Sequence, residues 1–150
     1  MRRKPRRTWH LLIGLALVLA GGYIIYNQLK PIGSNLRIED SIIRLDVADE
    51  PEEIIQGLSG RESLLGDEGM LFIFEQPNIP QFWMKDMLIP IDFVWISEDM
   101  KIVAITPSIG PDSYPIVFSP PSEVKYVLEV YAGVSAANGW LPGSDVEFSL

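Results

Sequence analysis

Five side chains in this chain have the types and settings that could do chemistry: Arg61, Trp83, Lys85, Asp92 and Glu129. Lys85 follows Phe82-Trp83-Met84, Asp92 stands between Ile91 and Phe93, and Glu129 lies in the run Val127-Leu128-Glu129-Val130. A strand that buries its neighbours draws such a charge into a low dielectric, where it must be paired. Two cations and two carboxylates balance in number. A buried or half-buried network is therefore expected, with Lys85 and Asp92 as neighbours across a proline turn. Such a group can be structural, can bind a ligand, or can hold one carboxylate with a raised pKa that serves as acid or base. Asp92 and Glu129 also invite a glycosidase reading, since two carboxylates flanking a sugar suffice for that chemistry and Trp83 and Trp95 could stack on the rings.

Other chemistries are excluded by residue type. The chain has no cysteine, so it forms no disulfide, thiolate metal site or cysteine nucleophile. Its one histidine, His10, lies outside the expected folded body, which leaves that body without a histidine triad or histidine metal site. The pairs Asp67-Glu68 and Glu98-Asp99 offer oxygen ligands for calcium but lack EF-hand spacing and read as solvated turns. Met70, Met84 and Met87 read as packing. Gly57-Leu58-Ser59-Gly60 is not a nucleophile elbow, and no phosphate loop or dinucleotide fingerprint is present. No cofactor is expected.

The elements that must position these residues begin after a separate leader. Residues 1 to 7 hold Arg2, Arg3, Lys4, Arg6 and Arg7 and no acid, and Leu11 to Tyr26 is an uncharged, mostly apolar run. With its flanks this run approaches the roughly 20 residues that span a bilayer. The basic residues 1–8 should remain cytoplasmic, with 9–29 as a transmembrane anchor and 30–35 as a linker. Residues 36–150 then lie outside. A cleaved signal peptide is the rival reading, but no clean Ala-x-Ala site precedes Gly21. All 20 acidic residues fall from Glu39 onward, and residues 36–150 hold six basic ones against them. So acidic a body repels phosphate backbones, and nucleic acid is not an expected partner.

Within the body, Ile43, Leu45 and Val47 alternate with Ile42, Arg44 and Asp46, as in a half-buried strand. Asp49 should open a short helix with Pro51 in its first turn and Glu52 completing a capping box, and Gly57 should end it. Strands are expected over 70–74, 82–86, 91–96, 101–106, 125–131 and 146–149, with a hairpin at Ser97 to Met100 and a short helix over 134–138. The prolines of 107–124 suggest a long ordered loop. Many short strands and little helix predict a mainly β fold, a compact sandwich or barrel with one or two short helices.

Gly57-Leu58 with Arg61, Gly69-Met70-Leu71-Phe72, Phe82-Trp83-Met84-Lys85, Ile89-Pro90-Ile91-Asp92, and Leu128-Glu129 with Ala132-Gly133 follow one another in the order and spacing of a known family. Over residues 42 to 149 the chain resembles the domain of unknown function 192 family, DUF192. It departs from the family's usual pattern at Ser59, at Asp86-Met87 and at Ser144. The resemblance implies a small jelly-roll-like β domain, often preceded by a signal sequence or anchor, and no established activity. The expected role is binding, of a small molecule, an envelope glycan or a partner protein. The alternatives are a carboxylate-dependent hydrolase of envelope polysaccharide or a structural envelope protein.

Overall fold

A computed structural model describes residues 33–150. The expected cytoplasmic tail and membrane anchor, and the first half of the linker, lie outside the described residues.

Nine strands form in this region. They are β1 (Asn35–Ile38), β2 (Ser41–Ala48), β3 (Glu68–Asn78), β4 (Phe82–Trp83), β5 (Ile91–Ile96), β6 (Ile102–Ile109), β7 (Val117–Phe118), β8 (Val124–Tyr131) and β9 (Val146–Ser149). Seven of them make one sheet in the order β6-β5-β8-β3-β2-β1-β9, while β4 and β7 pair separately as a small ribbon. All pairings are antiparallel except β2 with β3, whose connection carries the helix α1 (Pro51–Gln56). A parallel neighbour requires a crossover, and the segment between Ala48 and Glu68 supplies it. The second helix, α2 (Val134–Ala137), follows β8.

The sheet curls until its two edges meet. Lys101, just before β6, forms an antiparallel bridge with Asp145, just before β9. The amide of Val146 donates to the carbonyl of Met100, and that of Ile102 to Ser144. The result is a half-barrel built from one curled sheet. Two facing sheets of jelly-roll type, as the family resemblance implied, are not what the described strands make. The parallel β2–β3 pair and the edge-to-edge bridge put seven strands into one surface.

Side-chain alternation then divides the apolar residues between two cores. Inside the curl pack Leu36, Ile43, Leu71, Val94, Leu128 and Val130, closed by Trp140 of the segment after α2. On the outer face pack Phe72, Phe93, Trp95 and Val127, covered by Leu58, Met84 and Met87 from the connecting loops. Strand β5 is buried on both faces along its whole length. That is why its sequence, Ile-Asp-Phe-Val-Trp-Ile, reads as an almost continuous apolar run.

Several local expectations shift by a few residues. The helix cap is Glu50 rather than Asp49, and the carboxylate that reaches back to the amides of Asp49 and Glu50 belongs to Glu53, not Glu52. The strand expected over 82–86 stops at Trp83, and the chain turns over Met84 to Met87 instead, with the Met87 amide donating to the Met84 carbonyl at 3.3 Å and Asp86 left-handed at φ 57°. The segment 107–124 is partly strand: β6 runs through Pro107 to Ile109, and β7 lies further on. Proline is tolerated in β6 because it is an edge strand, where one side needs no ladder hydrogen bond.

Candidate functional site

The five sequence-selected residues do not form one network. Arg61 pairs with Asp46 across a half-exposed surface. Lys85 is exposed, and its backbone carbonyl accepts a hydrogen bond from Ser59 Oγ at 3.0 Å. Asp92 and Glu129 are both buried, but they project from opposite faces of the sheet. The register of β5 against β8 sets Asp92 beside Val130 and Phe93 beside Glu129. Residues directly opposite share a face, so Asp92 follows Val130 into the inner core and Glu129 follows Phe93 to the outer one. The two carboxyls therefore do not face each other across a cleft, as a glycosidase pair must.

Asp92 is fully buried and is satisfied by backbone. Oδ1 accepts from the amide of Ser108 at 2.8 Å and from that of Gly133 at 3.1 Å. Oδ2 accepts from the amides of Gly133 and Ser135, both at 3.1 Å, and from Ser135 Oγ at 2.6 Å. Two of these donors are in left-handed conformations, Ser108 with φ 56° and Gly133 with φ 88°. One carboxylate thus holds the bend in β6 and the entrance to α2 in place. Its chemistry is spent on the fold.

Glu129 is different. It is 5% exposed, and no group in the described residues hydrogen-bonds to it. Its Oε2 is buried and unpartnered. Burial pushes its carboxyl up to about 8, and no cation among the described residues offsets that shift. At neutral pH this side chain is mostly the neutral acid, with an O–H to donate and a carbonyl oxygen to accept.

Glu129 stands in the wall of a cleft of about 350 Å³ on the outer face of the sheet. Its walls are mostly apolar: Phe72, Phe74, Phe82 and Met87 from below, α1 through Ile54 and Ile55 from one side, and Trp83 at the lip. Ile55 and Trp83 leave 80% and 51% of their surfaces in solvent, as rim residues do. Neutral polar groups, Gln56, Ser59, Asn78 and Gln81, complete the lining. Local sequence sets up the cleft. Gly57 (φ 49°) turns the chain sharply at the end of α1, and a side chain there would press on Phe72. The Phe82 ring then wedges edge-on against Phe72 at 5.0 Å and against Trp95 at 5.7 Å, fixing the floor.

Of the expected site residues, the cleft gathers Trp83 and Glu129. Lys85 lines a separate shallow depression that shares Ile55, Gln56, Ser59 and Trp83 with it. Sequence reading missed α1's contribution and the neutral polar lining. The acid-rich turns are occupied otherwise: Arg44 bridges Asp67 and Glu68, and Lys125 pairs with Glu98. Among the described residues, no three histidine, cysteine or acidic side chains converge as a metal site.

A curled-sheet β domain with an apolar outer cleft and one unpaired buried carboxyl is the class this geometry defines. The chain belongs to the DUF192 family, described as "Uncharacterized ACR", whose profile matches residues 34–148. No curated protein matches it. Among solved structures it is similar to a protein from Sinorhizobium meliloti 1021 described as a candidate transcription regulator, with 30% identity, a TM-score of 0.71, and coverage of 77% of this chain and 91% of that one. It is also similar to a protein of unknown function from Novosphingobium aromaticivorans DSM 12444, at 26% identity and a TM-score of 0.72, covering 75% of this chain and 83% of that one.

Proposed function

We propose that this protein is a binding domain, held on the outer side of a membrane by residues 9–29, that takes a small, mostly apolar molecule into the cleft beside Glu129. One observation carries the reading. A carboxyl at 5% exposure with an unpartnered buried oxygen stands in the wall of an apolar cleft. An orphan polar atom of this kind costs about 1–3 kcal/mol of desolvation, so a ligand that hydrogen-bonds to it recovers free energy on binding. The pocket's size and make-up, apolar walls with a few polar groups, are those of small-molecule sites.

Binding is favoured over a two-carboxylate hydrolase because, among the described residues, Glu129 is the only acid that lines the cleft. The transcription-regulator description of the Sinorhizobium relative finds little support in this chain, whose body carries all 20 acids against six bases. The test is a thermal-shift screen of small organic compounds on the full chain in detergent, repeated with Glu129→Gln. Compounds that raise the midpoint of the parent and lose their effect in the variant support the cleft. A set of hits indifferent to the substitution places binding elsewhere and ends this reading.

A further inference from the structure

Resting on that reading, we infer that the cleft's ligand is an organic cation: a free amine, protonated at neutral pH, with a single-ring-sized apolar body and its ammonium group against Glu129. Three features of the site select this charge. First, among the described residues the lining contains one ionisable side chain, a carboxyl, and no cation. A ligand ammonium supplies the missing charge partner, whereas an anion finds no cation in the lining to offset its own desolvation. Second, a neutral ligand has no need of a buried carboxyl. Gln56, Asn78 and Gln81 already offer neutral donors and acceptors in the same wall. Third, Phe72, Phe74, Phe82 and Trp83 surround the space with rings, whose faces attract ammonium groups. The acidic excess of the body adds a field that draws cations toward the surface.

The charged groups around Glu129 leave this arrangement intact. On β8 itself Lys125 is already paired with Glu98 at 2.9 Å. On β5 Asp92 faces the inner core. Glu52 and Glu53 of α1 are exposed acids. Lys85 lines the neighbouring depression rather than the cleft. Glu68 and Glu75, at the two ends of β3's main pairing, line no part of the cleft, and Glu68 accepts from Arg44.

The binding step balances as an exchange. The ammonium enters with its charge, the Glu129 carboxyl gives up its proton to solvent, and the carboxylate and ammonium form an ion pair out of water. Because Glu129 titrates at about 8, the affinity should depend on pH with a definite sign. Below that value each unit of pH rise strengthens cation binding by about tenfold, and above it the affinity levels off. A neutral ligand that accepts the Glu129 proton as a hydrogen bond behaves in the opposite way, weakening above about 8.

The experiment is titration calorimetry on the full chain in detergent, from pH 6 to 8.5, with probes of one apolar body. The probes are 2-phenylethylammonium, the neutral ketone 4-phenyl-2-butanone and the anion 3-phenylpropionate. A fourth, Nα-acetyl-lysine methylamide, represents a protein lysine. The expected result is that 2-phenylethylammonium binds most tightly and gains about tenfold per pH unit to a plateau near 8, releasing a proton measurable as a buffer-dependent heat. Glu129→Gln, which matches the shape of the neutral acid, should weaken it at least tenfold at pH 8.5 and abolish the slope. Trp83→Ala, at an exposed rim position, should weaken it several-fold with an unchanged melting midpoint. Preference for the ketone, with affinity falling above pH 8, would overturn the cation inference and leave the binding cleft standing. Tighter binding of the lysine probe would overturn the assignment to a free amine. If no probe binds, both this inference and the proposed function fail.

Discussion

Asp92 and Glu129 show how two buried acids one position apart in register come to opposite roles. Asp92 receives hydrogen bonds from three backbone amides and one hydroxyl. Replacing it with alanine strands those donors in the interior, so Asp92→Ala should cost about 3–5 kcal/mol in chemical denaturation, a large part of a domain's stability. Amide exchange should speed up first at Ser108, Gly133 and Ser135. Glu129, without partners, is a stability burden that grows with pH. Its folded-state value is raised from 4.5 to about 8, so between those values the folded state holds a proton the unfolded chain has lost. Stability from this group is complete below about 4.5 and falls as pH rises toward 8, by roughly 5 kcal/mol in all. Glu129→Gln removes that fall. The variant should melt above the parent at pH 8.5 and close to it at pH 4.5; a variant less stable than the parent at pH 8.5 would contradict the assignment.

At the scale of elements, the strands that carry alternation were legible. Ile43, Leu45 and Val47 announce β2, and Pro51 followed by acids announces α1, because both signals are local. Strand β1 was not, since four residues are too few for a period to show. The sidedness of Asp92 and Glu129 was also hidden. Each strand's alternation is readable alone, but which face of β5 matches which face of β8 depends on the register Phe93↔Glu129, a long-range fact. The grouping of Arg61, Lys85, Asp92 and Glu129 rested on charge balance, which says nothing of register. Residue type did single out Glu129, because a carboxylate between Leu128 and Val130 is costly if its face of the strand is covered. Close strand approach supplies another prediction. A Cβ at Gly69 in β3 would lie 2.8 Å from the Glu129 carbonyl oxygen and 3.1 Å from Ile43 Cγ2. Gly69→Ala should therefore force β3 from β8 or β2 and cost about 1–3 kcal/mol, read as a lower denaturation midpoint.

At the scale of the molecule, the curl of the sheet separates two tasks. The inner core, closed where Lys101 meets Asp145, is filled and serves stability. The outer face carries α1 and the β4–β7 ribbon, and between them the cleft. Loops and short elements laid on a rigid sheet are where binding sites commonly arise. The proposed location follows from the leader's arginines and apolar run. Protease added outside intact cells should digest the acidic body and spare the first 30 or so residues; a body protected until lysis would place it on the other side. The most direct measurement for the whole account is infrared difference spectroscopy of the full chain against Glu129→Gln across pH 6 to 9.5. A protonated-carboxyl band present in the parent at pH 7, absent from the variant and lost with a midpoint near 8 is the predicted result. A Glu129 carboxyl already ionised at pH 6 would mean that water or a protein group satisfies it, and the cleft would lose the orphan acid on which its ligand is expected to close.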